Sequence, residues 1–425
     1  MYKYFIDLLG KNRGIYDNIK NAGLYFLGSI VQSLLALIAQ PIYAIHMSAS
    51  EFGILGYFDA IKSFFLPIFI FSMPSVYLMQ YFRQEEPENK KLLFNITFYL
   101  CCFNSITIFI SYIILYYYFS FLKITVPLYP FAWFALTSLL LENIKTIVLI
   151  NFRIRKRASA YFYFSAVNAI LNFSFGLLFV AYLKWGAEGR MFAPLISSLV
   201  LLPVCWIMLK KFTIVNFNFS FFIKNVKLAV PLVLASYAYV PIASIDRIFL
   251  ERLNDLSELG LYNIGIAIAG YVQLAYAALA LAFEPDIFKS VANHNTKKLI
   301  QLAVIMFAPY LLVVILMMLF SGSIVSILTA GKYLGAEKYT NITLISVFLM
   351  GIFYFSDKIF IALGKTKFSL YVNTLGSISA MIIMYIAAAN FGFIGAAYGK
   401  VVLAIVMVTT SAYLVIKNLK LGYAG

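Results

Sequence analysis

The sequence predicts an all-α integral membrane protein because of its apolar composition, its long uncharged segments and the placement of its basic residues. Of its 425 residues, 63% are hydrophobic and only 12% are charged, which exceeds what the core of a soluble domain can bury. Five uncharged segments reach the roughly 20 residues that a helix needs to cross hydrocarbon. They are residues 92–122, 158–183, 259–283, 299–331 and 368–399.

The spanning segments are predicted to be helices because they are apolar on every face, whereas the strands of a membrane barrel alternate apolar and polar residues. Apolar stretches between charged clusters predict twelve spans. They lie near residues 22–46, 53–80, 92–118, 127–151, 158–183, 188–209, 226–248, 259–283, 299–322, 339–361, 368–390 and 393–416. Prolines at positions 41, 67, 74, 231 and 241 predict kinks in spans one, two and seven.

The basic residues predict the topology. Most Lys and Arg residues fall in the segments that share one side of the membrane, if the N-terminus is taken to be cytoplasmic. Because basic segments stay on the cytoplasmic side, we expect both termini to be cytoplasmic. The net charge of +16 is then a topology signal rather than a sign of a nucleic-acid partner.

An internal repeat relates the two halves of the chain. In chain order, PIYAI at 41–45 matches PIASI at 241–245, SEFGIL at 50–55 matches SELGLY at 257–262, and Gly186 and Gly189 match Gly392 and Gly395. Each half holds an even number of spans, so the repeats are parallel and predict two six-helix lobes around a central cavity. We therefore expect an N-terminal lobe at 1–209, a cytoplasmic linker at 210–227 and a C-terminal lobe at 228–425. This is transporter architecture.

Two pairs of opposite charges lie inside predicted spans. Asp59 and Lys62 fall in span two, and Glu142 and Lys145 fall in span four. A charge in hydrocarbon costs roughly 2.5 to 3.5 kcal/mol, so each needs a partner or a water-filled cavity. The three-residue spacing places each acid and base on one helix face. Two interpretations stay open: the pairs tie helices together, or the lysines line a cavity and attract a phosphate-bearing group.

Further charges lie near the ends of other spans. Arg190 and Lys400 open spans six and twelve, and they either line the cavity or extend to outer headgroups. The remaining candidates are predicted to form a clasp or a gate. They are Asp246 and Arg247 at the outer end of span seven, Glu284 and Asp286 at the inner end of span eight, and Asp357 and Lys358 near the inner end of span ten.

The sequence carries no motif of an enzyme, a metal site or a bound cofactor. His46 and His294 lack metal-ligand spacing. The string GKT at 364–366 lacks the upstream glycine of a phosphate-binding loop, because position 359 is Ile359. We therefore expect a transporter without catalytic, metal or cofactor residues, driven by an ion gradient or by the gradient of its substrate.

Three motifs resemble those of a known family. They are SASEFGILG at 48–56, DRIFL at 246–250 followed by SELGLY at 257–262, and GAEGR at 186–190 followed by residues 193–198. Together with twelve spans, they resemble the polysaccharide transporter family, the Wzx-like flippases of the multidrug/oligosaccharidyl-lipid/polysaccharide exporter superfamily. Peptidoglycan-precursor flippases usually have two further spans, so the count favours the Wzx-like branch. Residues 21–48 hold no Asp or Glu, unlike span one of ion-coupled drug exporters.

The resemblance implies a flippase that moves an O-antigen or capsule repeat unit, linked to undecaprenyl pyrophosphate, from the cytoplasmic to the periplasmic leaflet. It implies alternating access, with Lys62 and Lys145 meeting the pyrophosphate. It also implies a bacterial inner membrane location, a role in lipopolysaccharide or capsule synthesis, and contact with membrane lipids, a glycan polymerase and chain-length machinery. The alternatives are a drug or cation exporter of the same fold and a membrane enzyme of glycan assembly.

Overall fold

The computed structural model describes residues 23–25, 27–28 and 30–421, and this part of the chain is helical without strands. The predicted all-α membrane fold is confirmed. The first seven helices are α1 (Gly23–His46), α2 (Ala49–Ile70), α3 (Met73–Tyr81), α4 (Glu86–Leu122), α5 (Phe131–Ile154), α6 (Ala158–Leu177) and α7 (Gly186–Lys210). The next seven are α8 (Phe219–Tyr237), α9 (Val240–Leu250), α10 (Leu256–Ala292), α11 (Thr296–Leu319), α12 (Ser321–Leu328), α13 (Glu337–Ala362) and α14 (Thr366–Leu421). Both ends of the chain, which are predicted to be cytoplasmic, lie outside the described residues.

Two predicted spans are broken helices. Span two divides into α2 and α3 at Phe71 and Ser72, which both have a φ of 48°. Span seven divides into α8 and α9 at residues 238–239. Each break lies just before a proline in the first turn of the next helix, Pro74 in α3 and Pro241 in α9. Proline starts a helix readily but cannot donate a hydrogen bond to the turn before it, so the breaks occur where kinks were predicted.

Eleven helical segments of the described chain are long and apolar enough to cross a membrane, and the last is long enough for two crossings. This segment, Thr366–Asn418, bends at Gly392, whose φ of 62° and ψ of −145° are not helical. A Cβ on Gly399 would lie 3.2 Å from Met384 and 3.3 Å from Ala387. In a straight helix Met384 and Gly399 would be about 22 Å apart, so the chain reverses at Gly392. The α14 segment therefore supplies spans eleven and twelve, as predicted.

The helices form two compact units. The first comprises residues up to 46, 65–121 and 128–233, and the second comprises 47–64, 122–127 and 234 onwards. Each unit has its own apolar core. In the first, Leu92 and Phe152 are among the buried residues of α3 to α8. In the second, Met306 and Phe360 are among the buried residues of α9 to α14. Residues 47–64 belong to the second unit by their contacts, and the lobe boundaries at 209 and 228 stay a prediction.

The second unit gains 47–64 because the two copies of the repeat motif contact each other there. The Ser50 and Ser257 hydroxyls lie 2.8 Å apart, at a separation of 207 residues. A Cβ on Gly53 would lie 2.3 Å from the carbonyl oxygen of Leu256, and one on Gly260 would lie 1.8 Å from that of Ala49. The α2 and α10 backbones therefore meet closely, and only glycine fits at these two positions.

Substitution of Gly260 by Ala is expected to destabilise the fold. The new methyl group would overlap a backbone carbonyl, and such overpacking costs about 1 to 3 kcal/mol. The matched control is Gly270→Ala in the same helix, where no atom lies within 4 Å of the new Cβ. That control should be neutral or stabilising by up to about 1 kcal/mol. Thermal unfolding of the two purified variants would measure the difference, and equal midpoints would contradict the close contact.

Candidate functional site

The Asp59–Lys62 pair lies halfway along a membrane helix. Its Nζ and Oδ1 atoms are 2.7 Å apart, which confirms the predicted pairing on one face of α2. Asp59 lies about 15 Å along the helix from Ala49, yet its side chain is 61% exposed. Such a carboxylate would be costly in hydrocarbon, and its pairing with Lys62 offsets part of that cost.

The Glu142–Lys145 pair lies at the middle of α5 and differs in burial. Its Nζ and Oε2 atoms are 2.7 Å apart, with Lys145 4% exposed and Glu142 52% exposed. The Lys145 ammonium also donates to Oδ1 of Asn168 in α6, at 3.1 Å. Lys145 therefore ties α5 to α6, and the exposed member of the pair is the carboxylate. The role of Lys145 in substrate binding stays a prediction.

Asp246 occupies the most buried charged position of the second unit. It is 1% exposed, and its Oδ2 atom lies 2.9 Å from Nζ of Lys400 in α14. The Tyr262 hydroxyl of α10 donates to the same oxygen at 2.7 Å. The other carboxylate oxygen is buried without a hydrogen-bond partner. This network joins α9, α10 and α14, and it draws Lys400 inward to a carboxylate.

The residue next to Asp246 contacts a different partner. Nε of Arg247 donates to Oδ1 of Asn263 in α10 at 2.8 Å. Asp246 thus contacts both α14 and α10, whereas Arg247 contacts α10 through a different residue, and sequence reasoning did not predict either Lys400 or Asn263 as a partner. The role of Asp246 and Arg247 as a clasp stays a prediction.

Two of the predicted gate groups are brought together. Nζ of Lys358 in α13 lies 2.5 Å from Oε1 of Glu284 in α10, and both side chains are about one-third exposed. Asp286 is one half-turn further along α10 and forms no ion pair with a described residue. One oxygen of Asp357 is buried without a hydrogen-bond partner. The contact links α10 to α13, and gating by these residues stays a prediction.

Arg190 contacts an aromatic ring instead of a carboxylate. Its guanidinium carbon lies 4.9 Å from the centre of the Tyr43 ring of α1. Among the described residues, no Asp or Glu forms an ion pair with it. It lines a small cavity with Gln32 of α1 and Asn172 of α6. Sequence reasoning missed these polar neighbours, although Asn168 and Asn172, four residues apart in an apolar span, were a detectable signal.

A cluster at the cytoplasmic end predicted for α5 was also missed. Nη1 of Arg155 lies 2.8 Å from Oε1 of Glu86, and its guanidinium carbon lies 4.5 Å from the centre of the Phe212 ring. Burial lowers the pKa of Arg155, but the hydrogen bond to Glu86 and the neighbouring groups more than offset this, so the pKa is raised. The cluster fixes the ends of α4, α5 and α7. Among the described residues, no group of three or more His, Cys, Asp or Glu could hold a metal ion.

Helices with charges at membrane depth and a repeated six-span design are the features of a polytopic transporter fold, and comparisons with known proteins agree. The family model for "Polysaccharide biosynthesis protein" matches residues 19–291. The chain therefore belongs to this family, and the resemblance inferred from its motifs is confirmed. The MatE model matches residues 231–386. A search of curated protein sequences found no significant match.

Solved structures share the fold along nearly the whole chain. The lipid II flippase MurJ in an inward closed conformation is 16% identical, with 93% of this chain and 89% of that chain covered and a TM-score of 0.68. An inward-facing multidrug resistance transporter of the MATE family is 14% identical, with 92% and 95% covered and a TM-score of 0.69. A transporter from Pyrococcus furiosus, described as having a binding pocket of reverse polarity, is 16% identical, with 95% and 96% covered and a TM-score of 0.53. The chain has the fold of the MOP superfamily.

Removal of the Lys400 charge is expected to destabilise the second unit. In Lys400→Met, Asp246 would keep a buried negative charge without its counter-ion, at a cost of about 3 to 5 kcal/mol. The double variant Asp246→Asn and Lys400→Met removes both charges and should recover most of the loss, because the Tyr262 hydroxyl can still donate to the amide oxygen. Thermal unfolding of both purified variants is the measurement. A single variant as stable as the native protein would show that Asp246 does not depend on Lys400.

Proposed function

We propose that the protein is a flippase that carries an oligosaccharide, linked to undecaprenyl pyrophosphate, from the cytoplasmic to the periplasmic leaflet by alternating access. The supporting observation is the exposure of Asp59 and Glu142 halfway along their membrane helices. Charged groups at that depth require water, and so does a hydrophilic glycan on its way across. Membership of the polysaccharide biosynthesis protein family suggests the glycan as cargo.

Residues of the first unit suggest that the cargo is negatively charged. Residues 21–48 carry no Asp or Glu, so span one offers no carboxylate to a cationic drug or coupling ion. Arg190 contacts this same helix with a charge that no described carboxylate neutralises. A net positive surface attracts phosphate groups and repels cations. We assign Lys62 and Lys145 to the pyrophosphate, with Asp59 and Glu142 adjusting their charge.

A drug or cation exporter is the second candidate, and one observation favours it. In both mid-span pairs the carboxylate is more exposed than the lysine, so a cation reaching either face would meet Asp59 or Glu142 first. The match of the MatE model to residues 231–386 is consistent with such an activity.

The other residues are proposed to hold or move helices during the transport cycle. Lys400, Asp246 and Arg247 would act as a clasp, and Glu284, Asp286, Asp357 and Lys358 would act as a gate. We further propose a bacterial inner membrane location with both termini cytoplasmic. A glycan polymerase and chain-length machinery would then receive the O-antigen or capsule unit on the periplasmic side.

A cell that lacks the protein is expected to lose its surface glycan and to accumulate the lipid-linked intermediate on the cytoplasmic leaflet. Surface staining and extraction of lipid-linked sugars would measure both effects, with the reintroduced gene as control. Unchanged glycan together with new sensitivity to cationic drugs would refute the flippase and support the exporter.

The Asp59–Lys62 pair allows a test of charge sign by two matched variants. Lys62→Gln should reduce glycan export about tenfold or more, because it removes a charge-assisted contact to phosphate. Asp59→Asn, which changes the same pair by one charge in the opposite direction, should leave export near the native level. Export per unit of protein in the membrane is the measurement. A loss of export with Asp59→Asn alone would assign the essential charge to the carboxylate.

A further inference from the structure

Three uncharged polar side chains meet in the second unit, where span seven is broken. The Tyr239 and Tyr354 hydroxyl oxygens lie 2.7 Å apart, and Nε2 of Gln273 donates weakly to the Tyr354 hydroxyl at 3.5 Å. Tyr239 directly precedes α9, Gln273 belongs to α10 and Tyr354 belongs to α13. We call these three residues the tyrosine–glutamine patch. Tyr239 and Gln273 are both exposed, so the patch is open at the protein surface.

The break in span seven gives Tyr239 its position. Pro241 has no N–H group, so it cannot donate to the carbonyl oxygen of Tyr237 as the fourth residue of a continuous helix would. Just before the proline the chain turns tightly, and the N–H of Tyr239 donates to the Ser236 carbonyl oxygen at 3.1 Å. The next helix, α9, then begins after Tyr239. The Tyr239 side chain is left 39% exposed, so part of its ring surface is accessible to a ligand.

Aromatic packing behind the patch holds Tyr354 in place. Its ring centre lies 6.1 Å from that of Tyr276, which is buried. Tyr276 in turn packs against Phe307 and Tyr310, at 6.2 Å and 5.5 Å between ring centres. The Tyr310 hydroxyl donates to the Val347 carbonyl oxygen at 3.1 Å. The hydroxyl of Tyr354 is therefore positioned by the core of the unit, and it fixes the hydroxyl of Tyr239 in turn.

The Gln273 amide has more hydrogen-bonding capacity than the protein uses. It can donate two hydrogen bonds and accept two, yet the weak bond to Tyr354 is its single hydrogen bond to a described residue. Gln273 also lies near the middle of predicted span eight, residues 259–283. An amide without partners would be costly in hydrocarbon. Water or a hydroxyl-bearing ligand satisfies such an amide, and the tyrosine ring beside it favours the ligand.

A sugar ring has the chemistry that matches this patch. One face of a pyranose carries C–H groups and packs on a flat aromatic ring such as that of Tyr239, while its hydroxyls both donate and accept hydrogen bonds. The Gln273 amide and the tyrosine hydroxyls offer both functions in return. A few placed polar groups beside an aromatic surface are typical of small-molecule sites. None of the three residues is charged, so the patch offers no counter-charge to a phosphate or to a cationic drug.

We propose that the tyrosine–glutamine patch binds a neutral sugar ring of the transported oligosaccharide. This assignment rests on the proposed function, in which a glycan is part of the cargo. Tyr239 stacks on the sugar, and Gln273 exchanges hydrogen bonds with its hydroxyls. Tyr354 is a positioning residue, because it acts on the sugar through the Tyr239 hydroxyl.

The test is photocrosslinking of the full chain in the membrane of cells that make the glycan. Tyr239→p-benzoylphenylalanine places a photoreactive ring in the patch, and Gln273→p-benzoylphenylalanine is a second site in case the first variant does not fold. Tyr413→p-benzoylphenylalanine is the matched control, since Tyr413 is a 63% exposed tyrosine of α14 outside the patch. Mass spectrometry of the purified protein should find sugar-containing adducts at position 239 or 273 and at least tenfold fewer at position 413.

Three outcomes overturn the proposal. They are the absence of sugar adducts in both folded patch variants, adducts of phospholipid alone, and equal sugar labelling at position 413. Failure of the proposed function would appear separately, as normal surface glycan in cells that lack the protein.

A second measurement separates sugar contact from a purely structural role of Tyr239. Tyr239→Ala removes the ring and should lower glycan export per folded molecule about tenfold. Tyr239→Phe keeps the ring but loses the hydroxyl, so it should lower export only about threefold. Tyr413→Ala should export as the native protein does, and thermal unfolding of each purified variant reports its stability. Native export per folded molecule in Tyr239→Ala would overturn the proposal.

Discussion

The cost of taking a charge out of water is the constraint on which the interior of this protein depends. Charged side chains of the described helices are accommodated in different ways. Asp59 and Glu142 stay exposed beside a paired lysine, Asp246 and Lys400 neutralise each other where both are largely buried, and Arg190 lies on an aromatic ring. The contacts of Asp246 with Lys400, of Lys145 with Asn168 and of Arg190 with Tyr43 also join different helices, so these polar contacts and the helix arrangement cannot be altered independently.

Burial differs between the two mid-span lysines. Lys145 is 4% exposed and contacts both Glu142 and Asn168. Lys62 is about one-third exposed and pairs with Asp59 in its own helix. Equal formal charges thus have unequal exposure, and net charge along a span is a poor guide to which charges are accessible.

Much of the fold followed from composition and short-range spacing. The number of spans was predictable from the apolar stretches. The Asp59–Lys62 and Glu142–Lys145 pairs were predictable because side chains three residues apart are neighbours on a helix. The pairs Lys400–Asp246 and Lys358–Glu284 were not, because they join residues far apart in sequence and depend on how helices pack. The cavity around Arg190 was missed for a related reason. Amides such as Asn172 carry no charge, and the sequence does not show which side chains of other helices lie beside them. Span seven illustrates an intermediate case, since Pro241 predicted a kink but not a complete break.

The contact between the repeat copies has a consequence for how such a chain could arise. Ser50 contacts Ser257, which is its own equivalent in the other repeat copy. Gly53 contacts Leu256 and Gly260 contacts Ala49, and these two contacts are equivalent because Gly53 corresponds to Gly260 and Ala49 to Leu256. A surface that fits its own duplicate is self-complementary and suits a two-fold axis. A shorter polypeptide carrying one copy would therefore already possess the means to pair with an identical molecule, and fusion of two genes would convert that pairing into a single folded chain without a new interface.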